Sequence, residues 1–188
     1  NEFCSDSAIL HFSSVDLIDA PVKYATRKAI EIAKNRGLII SFDPNVRLPL
    51  WKNEDDCRKT ILEFLPYANV VKISDDEVDF IYSFDKEAAL AEIRKTAEIV
   101  YNTLGSKGAR VIAKGIDETR QAYQVKAVDT TGAGDAFTGA VLYRMVKRNC
   151  DLSCLANPDK EEILSDLDFA PKYAAYSVTS KGAIDSYG

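Results

Sequence analysis

The chain has 188 residues, 46% of them hydrophobic and 28% charged, a composition that describes a soluble globular unit long enough to bury a core. Its net charge of −5 argues against a nucleic-acid surface, because binding to a phosphate backbone needs clustered Lys and Arg. No apolar run reaches the roughly 18 residues needed to cross a bilayer, and the opening NEFCSDSAILHF has no basic segment leading into an apolar one, so neither a membrane span nor a secretory signal is expected.

In chain order, AILHF (8–12) reads as a strand, and a helix follows from about 21 to 35 in which Ala25, Ala29, Ile32 and Ala33 share a face and Gly37 is placed to stop it. LIISFD (38–43) is apolar apart from Ser41 and Asp43, as a strand covered on both faces should largely be. A helix over 54–64 and the strand NVVKIS (69–74) come next. Asp75, Asp76 and Glu77 then put three acids in the first turn of another helix, where the helix dipole favours them.

A further helix is expected over 86–98, followed by the strand IVYNTLG. ARVIAKG and QAYQVKAV read as the two arms of a β-hairpin. A helix over 133–147 and a last one over 162–177, broken near Pro171, complete the pattern. Alternation of this kind defines an α/β fold with a mainly parallel sheet and helices on both faces. No linker or repeat divides the chain, so residues 1–188 read as one unit without an internal boundary. The sequence opens without Met and enters a strand almost at once, which points to a processed product, a fragment or an incompletely recorded protein.

Cys4, Cys57, Cys150 and Cys154 fall in different expected elements. CDLSC offers at most half of a zinc site, and His11 is the single histidine, whereas structural zinc takes four N or S ligands. Free thiols in a reducing cytoplasm are therefore expected.

Ligands of parallel α/β sheets bind beyond the carboxyl ends of the strands, so the strand exits FDPNVR, KISDDE, NTLGSKG and VDTTGAGD are the places to look. The last is the most telling. Small residues at Gly132, Ala133 and Gly134 let the backbone approach a ligand, and their N–H groups at a helix N-terminus form an anion cradle. Asp135 beside a bound anion is awkward for simple binding. It is apt if a hydroxyl attacking that anion must give up a proton, as phosphoryl transfer requires. The plainer alternative is a glycine-rich turn with Asp135 as a dipole-matched acid. The motif lacks the Lys-Ser/Thr ending of a P-loop and the spacing of a dinucleotide fingerprint.

DTTGAGDAF resembles the signature of the ribokinase-like (PfkB) family of carbohydrate kinases, and FDPNVRLPLW and VKISDDE resemble segments of its fructokinase branch. The resemblance implies transfer of the ATP γ-phosphate to a primary hydroxyl of a sugar, D-fructose to fructose 6-phosphate before others. It implies Asp135 as the catalytic base, Gly132, Ala133 and Gly134 as the anion hole, and Asp129 near a monovalent cation such as K⁺, near the substrate, or shaping the loop. Asn45 and Arg47 match substrate and phosphate positions, where the planar guanidinium suits phosphate oxygens or sugar hydroxyls. Ser74 occupies the Asn position of the family's Asn-x-x-Glu element. Glu77 keeps the Glu and would meet Mg²⁺ through water, and Lys72 would face the nucleotide phosphates. Thr103, Gly105 and Gly108 match the nucleotide loop.

The resemblance also implies a homodimeric cytoplasmic parent, without nucleic-acid or membrane partners. The chain corresponds to the C-terminal nucleotide-binding and catalytic part of the fold. The family's N-terminal strands and β-sheet lid are not represented, so this piece alone is expected to be weak or inactive. Pro171-Lys172 departs from the small polar residue that many relatives carry near the adenine, and Trp51 reads as core or rim packing. The alternatives are a kinase for 2-keto-3-deoxygluconate or another PfkB substrate, and a non-catalytic nucleotide- or sugar-binding module.

Overall fold

β2 (Ile39–Asp43) is buried at every position, and a strand with no exposed face needs cover on both sides of its sheet. The computed structural model, which describes residues 6–182, provides that cover in three layers. Six strands form one sheet in sequential order: β1 (Ile9–Ser13), β2, β3 (Val70–Ser74), β4 (Ile99–Thr103), β5 (Ala109–Ala113) and β6 (Ile116–Arg120). The first four run parallel, and β5 and β6 run antiparallel to their neighbours.

Side chains alternate between the sheet faces with period two. On one face Phe12, Phe42, Val71 and Ile73 meet α1 (Pro21–Arg36), α2 (Glu54–Phe64), α3 (Asp75–Ile81) and α4 (Lys86–Ile93). On the other, Ile39, Val70, Ile99, Tyr101 and Val111 meet α5 (Ala133–Lys147), α6 (Leu152–Ala156) and α7 (Lys160–Ser177). Among the described residues no helix is long and apolar enough to cross a membrane.

Local chemistry sets the helix ends. Gly37, at φ +67°, closes α1 by donating to the carbonyls of Ala33 and Lys34, a left-handed cap that glycine adopts without a Cβ penalty. Side chains of Asn53, Asp85, Asp151 and Asp159 accept first-turn N–H groups of α2, α4, α6 and α7. These bonds satisfy donors that a helix cannot satisfy internally. Trp51 packs at the margin of the first core, as expected for a rim residue.

Several expectations are corrected. The buried face of α1 carries Thr26, Ile30 and Ala33, and Ala25 is exposed. α4 ends at Ile93, short of residue 98. The hairpin partner of β5 is Ile116–Arg120 rather than QAYQVKAV, with Ala113 opposite Ile116 and Gly115 turning at φ +71°. Tyr123 and Val125 have strand spacing but, like Val128, are exposed, with no face to pack against. β6 carries charge instead, because it is held at the sheet edge by ion pairs such as Arg110–Asp117 and Lys160–Glu118. α7 runs unbroken through Pro171, which forgoes one bond to the Leu167 carbonyl and is buried beside Ala170.

Cys150 and Cys154 form a disulfide rather than two free thiols. Asp151 caps α6 by accepting the Cys154 N–H, and that single turn brings the two Cα atoms to 5.5 Å. Cys57 is free and buried, while Cys4 lies outside the described residues.

α5 and α7 are pinned by Asp166, whose buried carboxylate accepts from Arg144 Nε and Arg148 Nη1 at 2.8 Å each. Asp166→Ala removes the buried carboxylate shared by Arg144 and Arg148, leaving them Ser165 and Glu162 as partners, and is expected to lower the unfolding free energy by about 3 kcal/mol. Asp168→Ala, which removes the exposed pair with Arg120, is expected to change it by less than about 1 kcal/mol. Urea denaturation of the two variants measures the contrast.

Candidate active site

Two charged residues interrupt the apolar strands. Asp43 ends β2 and Lys72 lies in the middle of β3. Asp43 shares the parity of Ile39, and Lys72 that of Val70, so both project from the α5 side of the sheet. They are 2% and 7% exposed, and Lys72 Nζ lies 3.2 Å from each carboxylate oxygen. Asp43 Oδ1 also accepts the Asn45 N–H at 3.1 Å. From α5, Thr138 Oγ1 approaches within 3.3 Å of Asp43 Oδ2 and 3.0 Å of the Gly134 carbonyl. Burial pushes the Asp43 carboxyl up to about 6, against the pull of Lys72 and with a further push from Glu77.

His11 lies on the edge strand β1, opposite Ser41, with Nδ1 at 3.1 Å from the Ser41 hydroxyl. The surrounding protein mass holds its imidazole below the ordinary range, although Asp16 and Asp135 draw it upward. Asp135 is thus near enough to enter the electrostatics of both His11 and Asp43.

α5 begins as the sequence requires. Gly132 is its N-cap at φ +82°, a left-handed conformation that favours glycine, and its carbonyl accepts the Ala136 N–H at 2.8 Å. The Ala133 N–H donates to the Thr130 carbonyl at 3.2 Å. Gly134 and Asp135, in the first turn, have donors without acceptors inside the helix. A Cβ on Gly134 would stand 3.1 Å from Lys72 Nζ, so the ammonium lies directly against this turn. The Asp135 side chain is exposed. Lys72 and the positive end of the helix dipole therefore converge next to an accessible carboxylate.

Asp129 shapes the approach to α5. Its Oδ1 accepts the Thr131 N–H at 2.9 Å and its Oδ2 the Gly182 N–H at 3.0 Å. Bonds from Thr131 and then Gly182 hold its carboxyl below the ordinary range.

At the β3 exit, Ser74 and Glu77 form a capping box. Glu77 Oε2 accepts the Ser74 N–H at 2.8 Å and lies 2.9 Å from its hydroxyl. Oε1 accepts the Val46 N–H at 2.9 Å, so one carboxylate ties α3 to the loop carrying Asn45 and Arg47. Asn45 sits at φ +42°, which the Asp43 turn supports, and Arg47 is exposed. Thr103 lies beside Ser74 in register. Gly105 and Gly108 follow at φ +58° and +116°, and a Cβ on Gly108 would come within 1.9 Å of the Arg120 carbonyl. Close approach to β6 is reason enough for that glycine.

The structure thus gathers Lys72, Gly134 and Asp135 at one point, and sets Ser74, Glu77, Asn45 and Arg47 along the adjoining strand exit. Asp43, Thr138, Ser41 and His11 complete the cluster and were not singled out from the sequence. Asp43 and Lys72 did leave a signal: opposite charges inside two apolar strands that a parallel sheet makes neighbours. No group of three or more His, Cys, Asp or Glu side chains among the described residues gathers into a cation cage.

Residues 1–187 match the pfkB family carbohydrate kinases. The chain is 35% identical over 188 residues to Fructokinase-1 of Zea mays, covering 98% of this chain and 57% of that protein. The fold superimposes on fructokinase with bound ATP from Xylella fastidiosa with a TM-score of 0.91, at 29% identity, covering 98% of this chain and 59% of that one. It superimposes on a double-mutant fructokinase from Vibrio cholerae O395, in fructose, ADP and potassium ion bound form, with a TM-score of 0.83 at 31% identity, covering 95% and 56%. The sheet and the covering helices are those of the ribokinase-like fold. The chain belongs to the pfkB family of carbohydrate kinases and spans little more than half the length of each of these three relatives.

The raised Asp43 carboxyl has a defined sign. Its folded value of about 6 exceeds the ordinary 3.8, so the folded state binds the proton more tightly and this group's contribution to stability is lost as pH rises from about 4 to about 6. Asp43→Asn removes that dependence. Stability of the variant relative to the parent is therefore expected to rise across this window by about 3 kcal/mol at most, as measured by denaturant titrations at a series of pH values.

Proposed function

We propose that the whole protein transfers the γ-phosphate of ATP to the primary hydroxyl of a sugar, with D-fructose the leading substrate and fructose 6-phosphate the product. One observation carries this reading: the Lys72 ammonium and the N-terminus of α5 converge beside the exposed Asp135, which pairs anion stabilisation with a proton acceptor. The similarity to the Zea mays, Xylella fastidiosa and Vibrio cholerae fructokinases supports the choice of sugar.

In the proposed reaction the sugar hydroxyl gives its proton to an Asp135 carboxylate oxygen as its own oxygen bonds to the γ-phosphorus. The bond from that phosphorus to the β–γ bridging oxygen breaks, and ADP leaves with its electron pair. The Gly132–Ala133–Gly134 turn provides the anion hole. Because the Ala133 N–H already serves Thr130, the first-turn donors of Gly134 and Asp135 contribute most, with Lys72 adding charge from the sheet. Asn45 and Arg47 line the substrate and phosphate side. Ser74, Thr103, Gly105 and Gly108 lie toward the nucleotide.

Mg²⁺ would supply neutralisation of the charge developing on the β- and γ-phosphates, and as an ion that usually retains several waters it would need few direct protein ligands. The residues present suit that mode, with Glu77 as an acceptor for its water shell. A monovalent cation such as K⁺ is proposed near the Asp129 loop, in keeping with the potassium-bound Vibrio cholerae structure. We place the whole protein in the cytoplasm as a homodimer. The 188-residue chain alone is proposed to transfer phosphate weakly or not at all, because nothing among the described residues closes water out of the exposed site.

The test is a phosphotransfer assay on the full-length protein across a panel that includes fructose, ribose, 2-keto-3-deoxygluconate and aminoimidazole riboside. Asp135→Asn is expected to lower kcat by at least about 100-fold while ATP affinity, read by calorimetry, changes less than about threefold. Near-normal turnover in this variant would sink the assignment of the base. ATP or sugar binding without turnover by the parent protein would favour a non-catalytic binding module.

A further inference from the structure

We propose that Gly134 is glycine in order to admit the Lys72 ammonium, and that Asp43, by fixing that ammonium, is a positioning residue for the cradle at the start of α5. The inference rests on the phosphotransfer reading for its consequence, but its geometry stands apart from it. A glycine beside an anion cradle is ordinarily small for the ligand's sake. Here the nearest occupant of the Cβ position is the protein itself, with Lys72 Nζ at 3.1 Å and Cε at 3.7 Å.

A separation of that size forces one neighbour to give way, and a lysine terminus normally yields with ease. Lys72 is not free to do so. Its Nζ is held at 3.2 Å by both oxygens of a buried carboxylate. That carboxylate is in turn anchored by the Asn45 N–H and faces the Thr138 hydroxyl of α5 itself. The Gly134 carbonyl accepts from the same hydroxyl region at 3.0 Å, so the first turn of α5 and the ammonium are referenced to one another through Asp43 and Thr138.

Left alone, a lysine would avoid the positive end of a helix. Asp43 overcomes that aversion and aims the charge where a transferring phosphoryl group needs it. Gly134 then serves in place of a better helix former because any side chain would push the charge back.

The experiment is a set of double-mutant cycles on the full-length protein, read in kcat/KM for phosphotransfer and in thermal unfolding midpoint. In the parent background Gly134→Ala is expected to cost on the order of tenfold in kcat/KM and to lower the midpoint. In Lys72→Met, where the space is vacated by the charge, the same substitution is expected to cost less than about twofold and to leave or raise the midpoint. In Asp43→Asn, where the ammonium is freed to withdraw, the cost should fall between these limits, with kcat already reduced and KM for ATP changed less.

Equal fold-losses in all three backgrounds overturn the inference, since that is the result if Gly134 is small to admit the ligand. If Lys72→Met fails to fold, the Asp43→Asn cycle decides alone. A parent protein without phosphotransfer to any sugar defeats the proposed function instead, and the unfolding midpoints still decide whether Gly134 and Lys72 are coupled.

Discussion

Everything at the strand exits turns on the contact between Asp43 and Lys72 beneath the first turn of α5. Buried ion pairs are poor sources of net stability, because desolvating both charges offsets most of their attraction. What such a pair can do is hold a charge where it would not otherwise stay. The sheet places a cation near the positive end of a helix and compensates it from behind with a carboxylate that also receives the Asn45 N–H. Thr138, one turn into α5, keeps that carboxylate and the helix in step.

The fold was legible where burial leaves a periodic trace. β2 and β3 are apolar because helices cover both of their faces, and the exits of β1 to β4 fall on one side because a parallel ladder leaves no choice. α5 spans the predicted residues because Gly132 caps it in a left-handed conformation that favours glycine. Legibility failed where a local pattern lacked a packing partner. Tyr123, Val125 and Val128 are apolar without a surface to cover, whereas β6 is rich in charge and is held at an edge by the pairs Arg110–Asp117, Arg120–Asp168 and Lys160–Glu118. Cys150 and Cys154 were read as unrelated thiols because their approach depends on a single turn capped by Asp151.

The candidate site divided along the same line. Asp135 and the glycines before it are contiguous, so their meaning lies in local sequence. Asp43 and Lys72 are 29 residues apart, and Thr138 is 95 from Asp43. Only strand order and helix docking make them neighbours. Family resemblance points to Lys72, whereas nothing local in FDPNVR distinguishes Asp43 from a strand-end acid. Asp129 shows the reverse limit. Its place in the motif leaves cation, substrate and loop shaping open, and only the fold shows that its carboxylate accepts the Thr131 and Gly182 N–H groups.

Glu77 has a mechanical consequence. Its two oxygens fasten different segments, Ser74 at the start of α3 on one side and Val46 on the other. A rigid carboxylate is only about 2 Å across between its oxygens, so it transmits displacement as a short strut rather than as a flexible tether. The start of α3 and the Asn45–Arg47 loop thus share one hydrogen-bonded support, the Glu77 side chain.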